Sequence, residues 1–209
     1  MDAGLPAKVA EQLGDDEVHV WRLPYDPWQG RAPLLALLGA YLGMPPARLR
    51  LTAGSHGRPA LSPPASLRFN WSHSGPLAVV ALARGIEPGI DVERVRPRPR
   101  ALEIARRFFA PAEAQALAAL DAQAREAAFL RLWTAKEAVL KALGRGLAFG
   151  LHRLDVEDDP ESPRLRRFDG ETPAHWQLRR LALGADAVGA LAWRGEPRRV
   201  RAWTLADAG

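Results

Sequence analysis

The segment GIDVE, residues 89–93, carries two acidic side chains at a spacing that could bind a metal ion. On a β-strand, side chains two positions apart share a face and lie about 6.6 Å apart along the chain, so Asp91 and Glu93 would point to the same side. Two carboxylates on one strand suit Mg²⁺, which usually takes one or two carboxylates and completes its shell with water and substrate phosphate. The alternative is a half-exposed strand whose acids are solvated or pair with Arg94 and Arg96.

A second polar cluster, FNWSHSG, occupies residues 69–75. Ser72 and His73 precede a glycine turn, where hydroxyl, imidazole and backbone N–H groups can converge on an anion. Neighbouring strand residues point to opposite faces, so this pair is poorly placed as nucleophile and base, and the sequence has no G-x-S-x-G elbow. The segment therefore indicates either an anion contact or a capped turn with a surface histidine.

The third cluster is WTAKEAVLKALGRG, residues 133–146, which contains two of the three lysines in a chain with 26 arginines. Glu137 and Lys141 are four positions apart, in the favourable order for a helix salt bridge. At 3.6 residues per turn, Lys136 falls within an apolar stripe, where its ammonium must reach solvent, meet a carboxylate or face a polar ligand. The stripe consists of Phe129, Leu132, Trp133, Val139, Leu140 and Leu143. The sequence has no glycine-rich phosphate loop, so any phosphate would be bound by side chains.

The elements that must position these side chains are strands and helices in irregular alternation. Predicted strands span residues 17–22, 67–74, 77–83, 87–93, 152–157, 176–183, 186–193 and 199–204. Predicted helices span residues 33–43, 101–109 and 111–143, the last of which allows a break around Asp121. Residues 52–66, rich in Gly, Pro and Ser, are predicted to be loop. This irregular order favours an α+β fold over a doubly wound α/β fold.

The proline-rich run RVRPRPR, residues 94–100, is the best candidate for a boundary. It predicts an N-terminal α+β half over residues 1–96 and a C-terminal α+β half over residues 97–209. The pattern of LAVVALA in the first half returns as DAVGALAW in the second, which suggests that the two halves are similar.

Composition narrows the class of protein. The 209 residues are 47% hydrophobic and 25% charged, as in soluble globular proteins, and the absence of cysteine excludes disulfides and thiolate metal sites. No apolar run approaches the roughly 20 residues of a membrane helix, and the N-terminus lacks a signal-peptide pattern. We therefore expect a cytoplasmic protein with no membrane partner. We also expect a monomer.

The net charge of +5 suits nucleic acid, a phosphorylated ligand or an acidic protein partner. It is also what an arginine-rich composition set by genomic base content would give. The chain has no dense basic block of the kind found in nucleic-acid-binding tails.

Taken in order, the clusters resemble the surfactin-type (Sfp-type) 4'-phosphopantetheinyl transferases. The matching motifs are Gly57-Arg58-Pro59, FNWSHSG at 69–75, GIDVE at 89–93, Arg107-Phe108-Phe109 with Glu113, WTAKEA at 133–138 with Lys141, and Gly144-Arg145-Gly146. The match covers roughly residues 57–151 with the motifs in the order and spacing of the family.

The resemblance implies two similar α+β halves related by a pseudo-twofold axis, with a coenzyme A site in the cleft between them. It implies Mg²⁺-dependent transfer of the 4'-phosphopantetheine arm of coenzyme A to a serine of an apo acyl or peptidyl carrier protein. The other product is adenosine 3',5'-bisphosphate. Carrier proteins are acidic, which gives the basic surface a use.

The resemblance also assigns roles to the acidic residues and to one lysine. Asp91, Glu93 and Glu137 match the metal ligands, and Glu137 also matches the proposed general base, acting directly or through a metal-bound water. Lys141 matches the lysine that binds the pyrophosphate and neutralises the leaving group.

Further positions match residues that contact the coenzyme. Ser72 and His73 are expected to contact phosphates, with Arg58 in place of a lysine often found there. Lys136 is placed with the coenzyme-binding residues, near the metal cluster together with Glu113. Its position among apolar residues also suggests a buried ionic partner, such as one of the cluster carboxylates.

The N-terminal region departs from the family pattern. The basic stretch that usually precedes the first helix is shortened to DPWQGRAPLL, in which Arg31 is the one cation at the expected place. Arg31 is therefore a candidate contact for the coenzyme's 3'-phosphate, with Arg22 or Arg48 as a compensating arginine.

Two other classes of function fit parts of the sequence. A non-catalytic module that binds carrier proteins or nucleic acid would use the basic surface but would not require three converging carboxylates. A different Mg²⁺-dependent phosphotransfer enzyme would usually carry its own phosphate loop. The resemblance favours the transferase, with no nucleic-acid partner.

Overall fold

The computed structural model describes residues 4–54, 57–159 and 162–205 and confirms the α+β class. Its helices are α1 Gly4–Ala10, α2 Ala32–Leu42, α3 Ala101–Phe108, α4 Pro111–Ala118 and α5 Ala122–Leu143. Its strands are β1 Glu17–Pro24, β2 Arg50–Ala53, β3 Pro59–Ser62, β4 Leu67–Ser74, β5 Leu77–Arg84, β6 Gly89–Arg94, β7 Leu154–Glu157, β8 Arg164–Phe168, β9 Trp176–Leu181, β10 Ala187–Arg194 and β11 Arg199–Thr204.

Two larger sheets form the centre of the molecule. The first has the strand order β11-β1-β5-β4, and the second has the order β6-β10-β9. Neighbouring strands in both are antiparallel, except that β11 runs parallel to β1. β2–β3 and β7–β8 form two short additional hairpin sheets.

The buried side chains arrange these sheets in layers. Because strand side chains alternate between faces, β1 sends Val18 and Val20 into a core shared with the second sheet, and Trp21 and Leu23 into a core shared with α2. α5 packs on the other face of the second sheet, against residues such as Ala190. The order is therefore α2, first sheet, second sheet, α5. Sheets buried on both faces explain why β5, LAVVALAR, reads as an almost continuous apolar run.

Strand pairing crosses the boundary predicted between residues 96 and 97. β6 lies before that boundary in the chain but pairs with β10 in the second sheet, whereas β11 lies after it but pairs with β1 in the first sheet. The outer residues of the two halves, such as 1–3 and 206–209, lie outside the described residues. The division into two similar halves stays a prediction, and the sheets show that each half lends a strand to the other.

Local sequence signals explain several helix ends. Asp121 accepts a hydrogen bond from the Ala124 N–H at 2.9 Å and begins α5, so the predicted break is confirmed as an N-cap. Gly43 ends α2 in the left-handed region at φ 63°, which favours glycine. No helix among the described residues is long and apolar enough to cross a membrane.

Some elements differ from the sequence-based predictions. The prediction of a loop over residues 52–66 is wrong in part, because this stretch includes part of β2 and all of β3. The two strands form an antiparallel hairpin in which Arg50 lies opposite Ser62 and Ala53 lies opposite Pro59. Residues 55 and 56 lie outside the described residues. α1 and β8 were not predicted at all. These elements are short, and no regular hydrophobic period marks them.

A buried polar network ties the first sheet to α2. The Trp21 Nε1–H donates to the Tyr41 hydroxyl at 2.8 Å, and the Tyr41 oxygen lies 2.8 Å from His19 Nδ1. His19 Nε2 lies 3.1 Å from Glu17 Oε2. The Tyr41 hydroxyl accepts a hydrogen bond from Trp21 and can donate its own hydrogen to His19 Nδ1. The proton of the neutral imidazole is then on Nε2, which can donate to Glu17, so each polar group of the network has a partner. The His19 side chain is fully buried within this network.

Candidate active site

A cleft of about 320 Å³ opens where β4, α5 and the segment before β3 meet. Its walls come from both sides of the predicted boundary. The lining residues are Gly57, Arg58, Pro59, Asn70, Trp71, Glu137, Leu140, Lys141, Gly144 and Gly146. Four of the motifs singled out in the sequence therefore meet in one cavity.

Close packing of α5 on β6 positions the polar edge of the helix. A Cβ atom on Gly89 would lie only 2.0 Å from the Ala138 carbonyl oxygen and 2.4 Å from the Ala142 nitrogen, so the backbones can approach this closely only at a glycine. Asn70 ties β4 to the same strand, because its Oδ1 accepts the Ile90 N–H at 2.9 Å. The two contacts hold β4, β6 and α5 in a fixed relation.

Asp91 lies at the centre of this arrangement. Its Oδ1 accepts the Ser72 hydroxyl at 2.8 Å and the Lys141 ammonium at 2.6 Å, and the same ammonium also donates to the Ile90 carbonyl at 3.1 Å. Burial raises the pKa of Asp91, while Lys141 and Ser72 act in the opposite direction. The structure thus brings together three of the predicted site residues.

Two carboxylate oxygens in this region lack protein partners. Within residues 4–54, 57–159 and 162–205, Asp91 Oδ2 and Glu137 Oε1 are buried and accept no hydrogen bond. Burial, followed by the charge of Asp91, raises the pKa of Glu137 to about 7. Because buried polar atoms are nearly always paired, two such oxygens indicate a place for a ligand.

Glu93 has different surroundings from the other two acids. Its Oε2 accepts the Ser74 hydroxyl at 3.1 Å and the Arg98 guanidinium at 2.7 Å. Across the described part of the chain, no three acidic or histidine side chains form a ready metal site. The alternative that Arg94 and Arg96 pair with the acids of GIDVE is not what the structure shows: Asp91 pairs with Lys141, and Glu93 pairs with Arg98.

His73 lies beside the cleft in an aromatic cluster. Its ring stacks on Tyr25 at a centroid distance of 4.2 Å and lies 5.4 Å from the ring of the cleft residue Trp71. Partial burial and the charge of Lys141 lower the pKa of His73, which favours a neutral imidazole. Its exposed position leaves it open to a ligand at the mouth of the cleft.

Comparison with known proteins agrees with this geometry. A model of the 4'-phosphopantetheinyl transferase superfamily matches residues 87–192, about half of the chain, including GIDVE and the whole of α5. The chain belongs to this superfamily. The transferase HetI of Nostoc sp. is 31% identical over an alignment of 234 positions, gaps included, which covers 95% of this chain and 97% of HetI.

Other transferase relatives match over shorter stretches. A Synechocystis sp. protein with a provisional 4'-phosphopantetheinyl transferase name is 37% identical over 158 residues, 75% of this chain and 64% of its own length. Sfp of Bacillus subtilis is 35% identical over 109 residues, 52% of this chain and 47% of Sfp. The chain therefore spans nearly all of HetI but less than two thirds of the other two relatives.

Two arginines predicted to bind the transferase's coenzyme have other surroundings. Arg58 lines the cleft, but its guanidinium donates to the carbonyls of Lys141, Phe69 and Pro88 at 2.8–3.1 Å and pairs with Glu87 at 2.8 Å. It therefore holds α5 against the strands, and a phosphate would have to share these donors. Arg31 begins α2 as an exposed residue and is not among the cleft-lining residues.

The alternatives named for Arg31 also have defined places. Arg22 donates to the Leu183 carbonyl at 3.0 Å and lines a separate cavity of about 390 Å³ between the two sheets. Arg48 is exposed in the turn that follows α2. The residue that would hold a 3'-phosphate thus stays a prediction.

The structure corrects the expectation that Lys136 contacts the coenzyme. Its side chain is fully buried, and its ammonium lies 2.6 Å from Glu113 Oε2 and donates to the Leu151 and Leu154 carbonyls at 3.0 and 2.5 Å. Three acceptors use all three N–H groups, so none is left for a ligand. The predicted buried ionic partner exists, but it is Glu113 rather than a carboxylate of the metal cluster.

Sequence reasoning missed several residues that shape the site. Asn70, Tyr25 and Arg98 received no role, although Asn70 lies within the FNWSHSG motif. A buried polar side chain beside a strand of the other sheet needs a partner, and this could have singled out Asn70. Tyr25 and Arg98 carry no comparable signal, because only the fold brings them beside His73 and Glu93.

Proposed function

We propose that this chain transfers the 4'-phosphopantetheine group of coenzyme A to a serine hydroxyl of an apo acyl or peptidyl carrier protein. The other product is adenosine 3',5'-bisphosphate. Family membership supports the reaction class. The observation that carries the proposal is the cleft in which Lys141 pairs with Asp91 while Glu137 keeps a buried oxygen that accepts no hydrogen bond from the described residues.

The cleft offers the charges that a diphosphate requires. The Lys141 side chain is one quarter exposed, so its ammonium can exchange part of its contact with Asp91 for a diphosphate oxygen. His73 and Ser72 present an imidazole and a hydroxyl on opposite faces of β4, and both groups can bond to phosphate oxygens. Ser72 would have to exchange its contact with Asp91 to do so. Gly144 and Gly146 leave the backbone after α5 open to a ligand.

The residues present fit a divalent cation at Asp91 and Glu137. Each has a buried oxygen without a partner among the described residues, and hard carboxylate oxygens are what Mg²⁺ prefers. When bound, Mg²⁺ would neutralise charge on the diphosphate and on the departing phosphate. Glu93 is the third proposed ligand, and it would have to share or exchange its contact with Arg98 to reach the cation.

The proposed transfer balances with groups of this chain. The carrier serine oxygen forms a bond to the phosphorus next to the pantetheine arm, and the bond from that phosphorus to the bridging diphosphate oxygen breaks. The serine proton passes to the Glu137 carboxylate, directly or through a water molecule. Lys141 stabilises the negative charge that accumulates on the departing bisphosphate.

The net charge is compatible with the proposed acidic partner. Acidic carrier proteins would be attracted by a surface with a net charge of +5. We infer a monomeric cytoplasmic enzyme that does not use nucleic acid as a partner.

Intact-mass spectrometry tests the proposal directly. Incubation with coenzyme A, Mg²⁺ and each of several apo carriers should add the mass of one phosphopantetheine group to at least one carrier. A carrier whose acceptor serine is replaced by alanine, and the enzyme variant Glu137→Gln, serve as controls and should show no gain. No gain on any carrier would overturn the proposal and favour a non-catalytic binding module.

A further inference from the structure

A second cavity opens at one end of the layer between the two large sheets. Its volume is about 390 Å³, which lies in the usual range for small-molecule pockets and exceeds that of the cleft. The ends of β1, β6 and β11 and the starts of β5 and β10 form its walls. None of the described residues that line it also lines the cleft, so the two sites are separate.

The alternation of strand side chains directs two arginines into this cavity from opposite walls. In β1, Arg22 comes two positions after Val20, which is buried between the sheets. In β6, Arg94 comes two positions after Val92, which is buried in the same layer from the other side. Both arginines line the cavity, so an apolar row on each wall ends in a cation.

The contacts of the two arginines leave most of their donors unused. The Arg22 Nη1–H donates to the carbonyl of Leu183, just after β9, at 3.0 Å. The Arg94 side chain lies across Gly75 in the β4–β5 turn, where an added Cβ atom would be only 2.8 Å from Arg94 Cδ. Across the described part of the chain, these guanidinium groups make no other hydrogen bond and no ion pair. Both therefore keep N–H groups that can bind a ligand.

Two further polar groups belong to the walls. Thr204 is the register partner of Arg22 across β11 and β1, so its hydroxyl lies on the same wall. Asp186 is exposed and, within the described ranges, pairs with neither arginine. Because packed sheets lie about 10 Å apart, an anion between Arg22 and Arg94 would offset the repulsion of two like charges. The charges of the lining residues therefore favour an anionic ligand, in spite of Asp186.

The positions of the donors favour phosphate over carboxylate. Guanidinium groups bind phosphate oxygens through paired hydrogen bonds, and donors on opposite walls require an anion with oxygens on opposite sides. A carboxylate directs both of its oxygens to one side, whereas a phosphomonoester has three terminal oxygens that can reach both walls. Apolar residues of the walls, such as Leu77, Ala187 and Leu205, would pack against the organic part of the ligand.

We propose that this cavity binds the phosphate group of a small phosphomonoester between Arg22 and Arg94. The bound phosphate joins the two sheets at the end of their shared core. Because it binds only the folded chain, it stabilises the protein by mass action. The site goes beyond the proposed transfer reaction and does not depend on it.

Equilibrium dialysis against radiolabelled inorganic phosphate, without coenzyme or divalent cation, tests the inference. Wild type should bind phosphate at millimolar concentrations. Arg22→Gln and Arg94→Gln should each raise the Kd about tenfold, because each removes a charged hydrogen-bond donor, and Arg94→Lys should raise it less. Asp186→Asn should lower the Kd about threefold, because it removes a repulsive charge. Thermal unfolding without phosphate verifies that each variant is folded.

Matched controls locate the bound phosphate. Arg96→Gln makes the same change of charge at an exposed residue that is not among the described lining residues, and it should leave the Kd unchanged. Lys141→Met changes the cleft and should also leave it unchanged. Coenzyme A, measured with Mg²⁺, should bind Arg94→Gln as it binds wild type, because the cavity is separate from the cleft.

Competition tests the chemical class of the ligand. Phenyl phosphate should displace the labelled phosphate at lower concentration than unlabelled phosphate does, because its ring adds apolar contact with the walls. Benzoate, which joins the same ring to a carboxylate, should be at least about tenfold weaker than phenyl phosphate.

Each other result counts against the inference. If wild type binds no phosphate at millimolar concentrations, or if both arginine variants bind it as wild type does, the cavity is not a phosphate site. If Lys141→Met abolishes binding, the phosphate lies in the cleft, and if Arg94→Gln loses coenzyme A the cavity belongs to the coenzyme site. Equal competition by benzoate would overturn the choice of phosphate. The expected phosphate pattern without transfer to any carrier would overturn only the proposed function.

Discussion

Two lysine–carboxylate pairs on α5 have the same length but different surroundings. Lys136 lies 2.6 Å from Glu113, and Lys141 lies 2.6 Å from Asp91. In the first pair, Glu113 also accepts the Ala110 and Val156 N–H groups at 2.9 and 2.8 Å, while the ammonium reaches two carbonyls. In the second pair, Asp91 Oδ2 accepts no hydrogen bond from the described residues, and the lysine is one quarter exposed.

The difference between these pairs separates folding from binding. Protein groups satisfy the Lys136–Glu113 pair, which joins the beginning of α4, the middle of α5 and the start of β7. In the Lys141–Asp91 pair, by contrast, Asp91 Oδ2 accepts no hydrogen bond from the described residues, and Lys141 lies in the wall of the cleft. Buried polar groups in a stable core are normally satisfied, so the incompletely satisfied pair is the one expected to act on a ligand.

Replacing Lys136 with methionine should have the largest effect on stability. The variant leaves Glu113 buried without its countercharge, and loss of one partner of a buried pair costs about 3–5 kcal/mol. Urea unfolding should show this loss, and Glu113→Gln added to Lys136→Met should recover part of it by removing the buried charge. If Lys136→Met unfolds like wild type, this pair is not the structural one.

Asp91→Asn should produce the opposite outcome. Transfer should fall by about 10²–10³-fold, the range seen when one electrostatic stabiliser of a transition state is removed. The melting temperature should stay the same or rise, because the repulsion between Asp91, Glu93 and Glu137 decreases. Mass-spectrometric rates and thermal unfolding on the same sample measure both. A variant that keeps near-normal transfer would contradict the assigned role of Asp91.

Lys141→Met should have a smaller effect, concentrated on the coenzyme. Hydrogen bonds to charged groups contribute about 1.5–3 kcal/mol, so the KM for coenzyme A should rise roughly tenfold to a hundredfold. Lys141→Arg serves as the matched control, because it keeps the charge and should retain part of the affinity. An unchanged KM in Lys141→Met would show that the lysine does not bind the diphosphate.

The buried network around His19 should make the free energy of unfolding depend on pH, and this is the smallest of the expected effects. Burial lowers the pKa of His19 from its usual 6.5. Arg201 lowers this pKa further, whereas Glu17 raises it. The other neighbours of the ring are Tyr41 and Trp203. Below pH 6.5 the unfolded chain gains a proton that the folded chain does not, so stability is full above pH 6.5 and falls as the pH decreases. The slope should reach at most about 1.4 kcal/mol per pH unit.

Urea unfolding between pH 7.5 and 5.5 measures this slope. His19→Gln should remove most of it, because glutamine keeps a donor and an acceptor but does not titrate. His73→Gln should remove less, since the exposed imidazole of His73 is only partly desolvated. Equal slopes in wild type and His19→Gln would rule out His19 as the source.

Local signals allowed much of the fold to be predicted. Alternating or continuous apolar runs located β1, β4, β5, β10 and β11, and the N-cap at Asp121 located the break before α5. The short β2–β3 hairpin was missed because its residues are rich in Gly, Pro and Ser, which favour a loop when no neighbouring strand is known. Burial against the rest of the fold overrides such local preference.

The candidate site was predictable in its residue types but not in its pairings. The spacing of Asp91, Glu137 and Lys141 indicated carboxylates and a cation, and the structure brings them together. Glu113 follows Pro111 at the start of a helix, so its sequence context predicts a surface cap rather than a buried partner for Lys136. Contacts over 23 residues depend on how α4 packs against α5, which no local pattern encodes.

The parallel pairing of β11 with β1 has a consequence for synthesis on the ribosome. β1 begins at residue 17, but its partner on one side is residues 199–204. While the chain emerges, that side of β1 offers unpaired N–H and C=O groups to other strands. Completion of the first sheet must wait for nearly the whole chain, so a nascent protein lacking residues 199–204 should depend more on chaperones than its early strands alone would suggest.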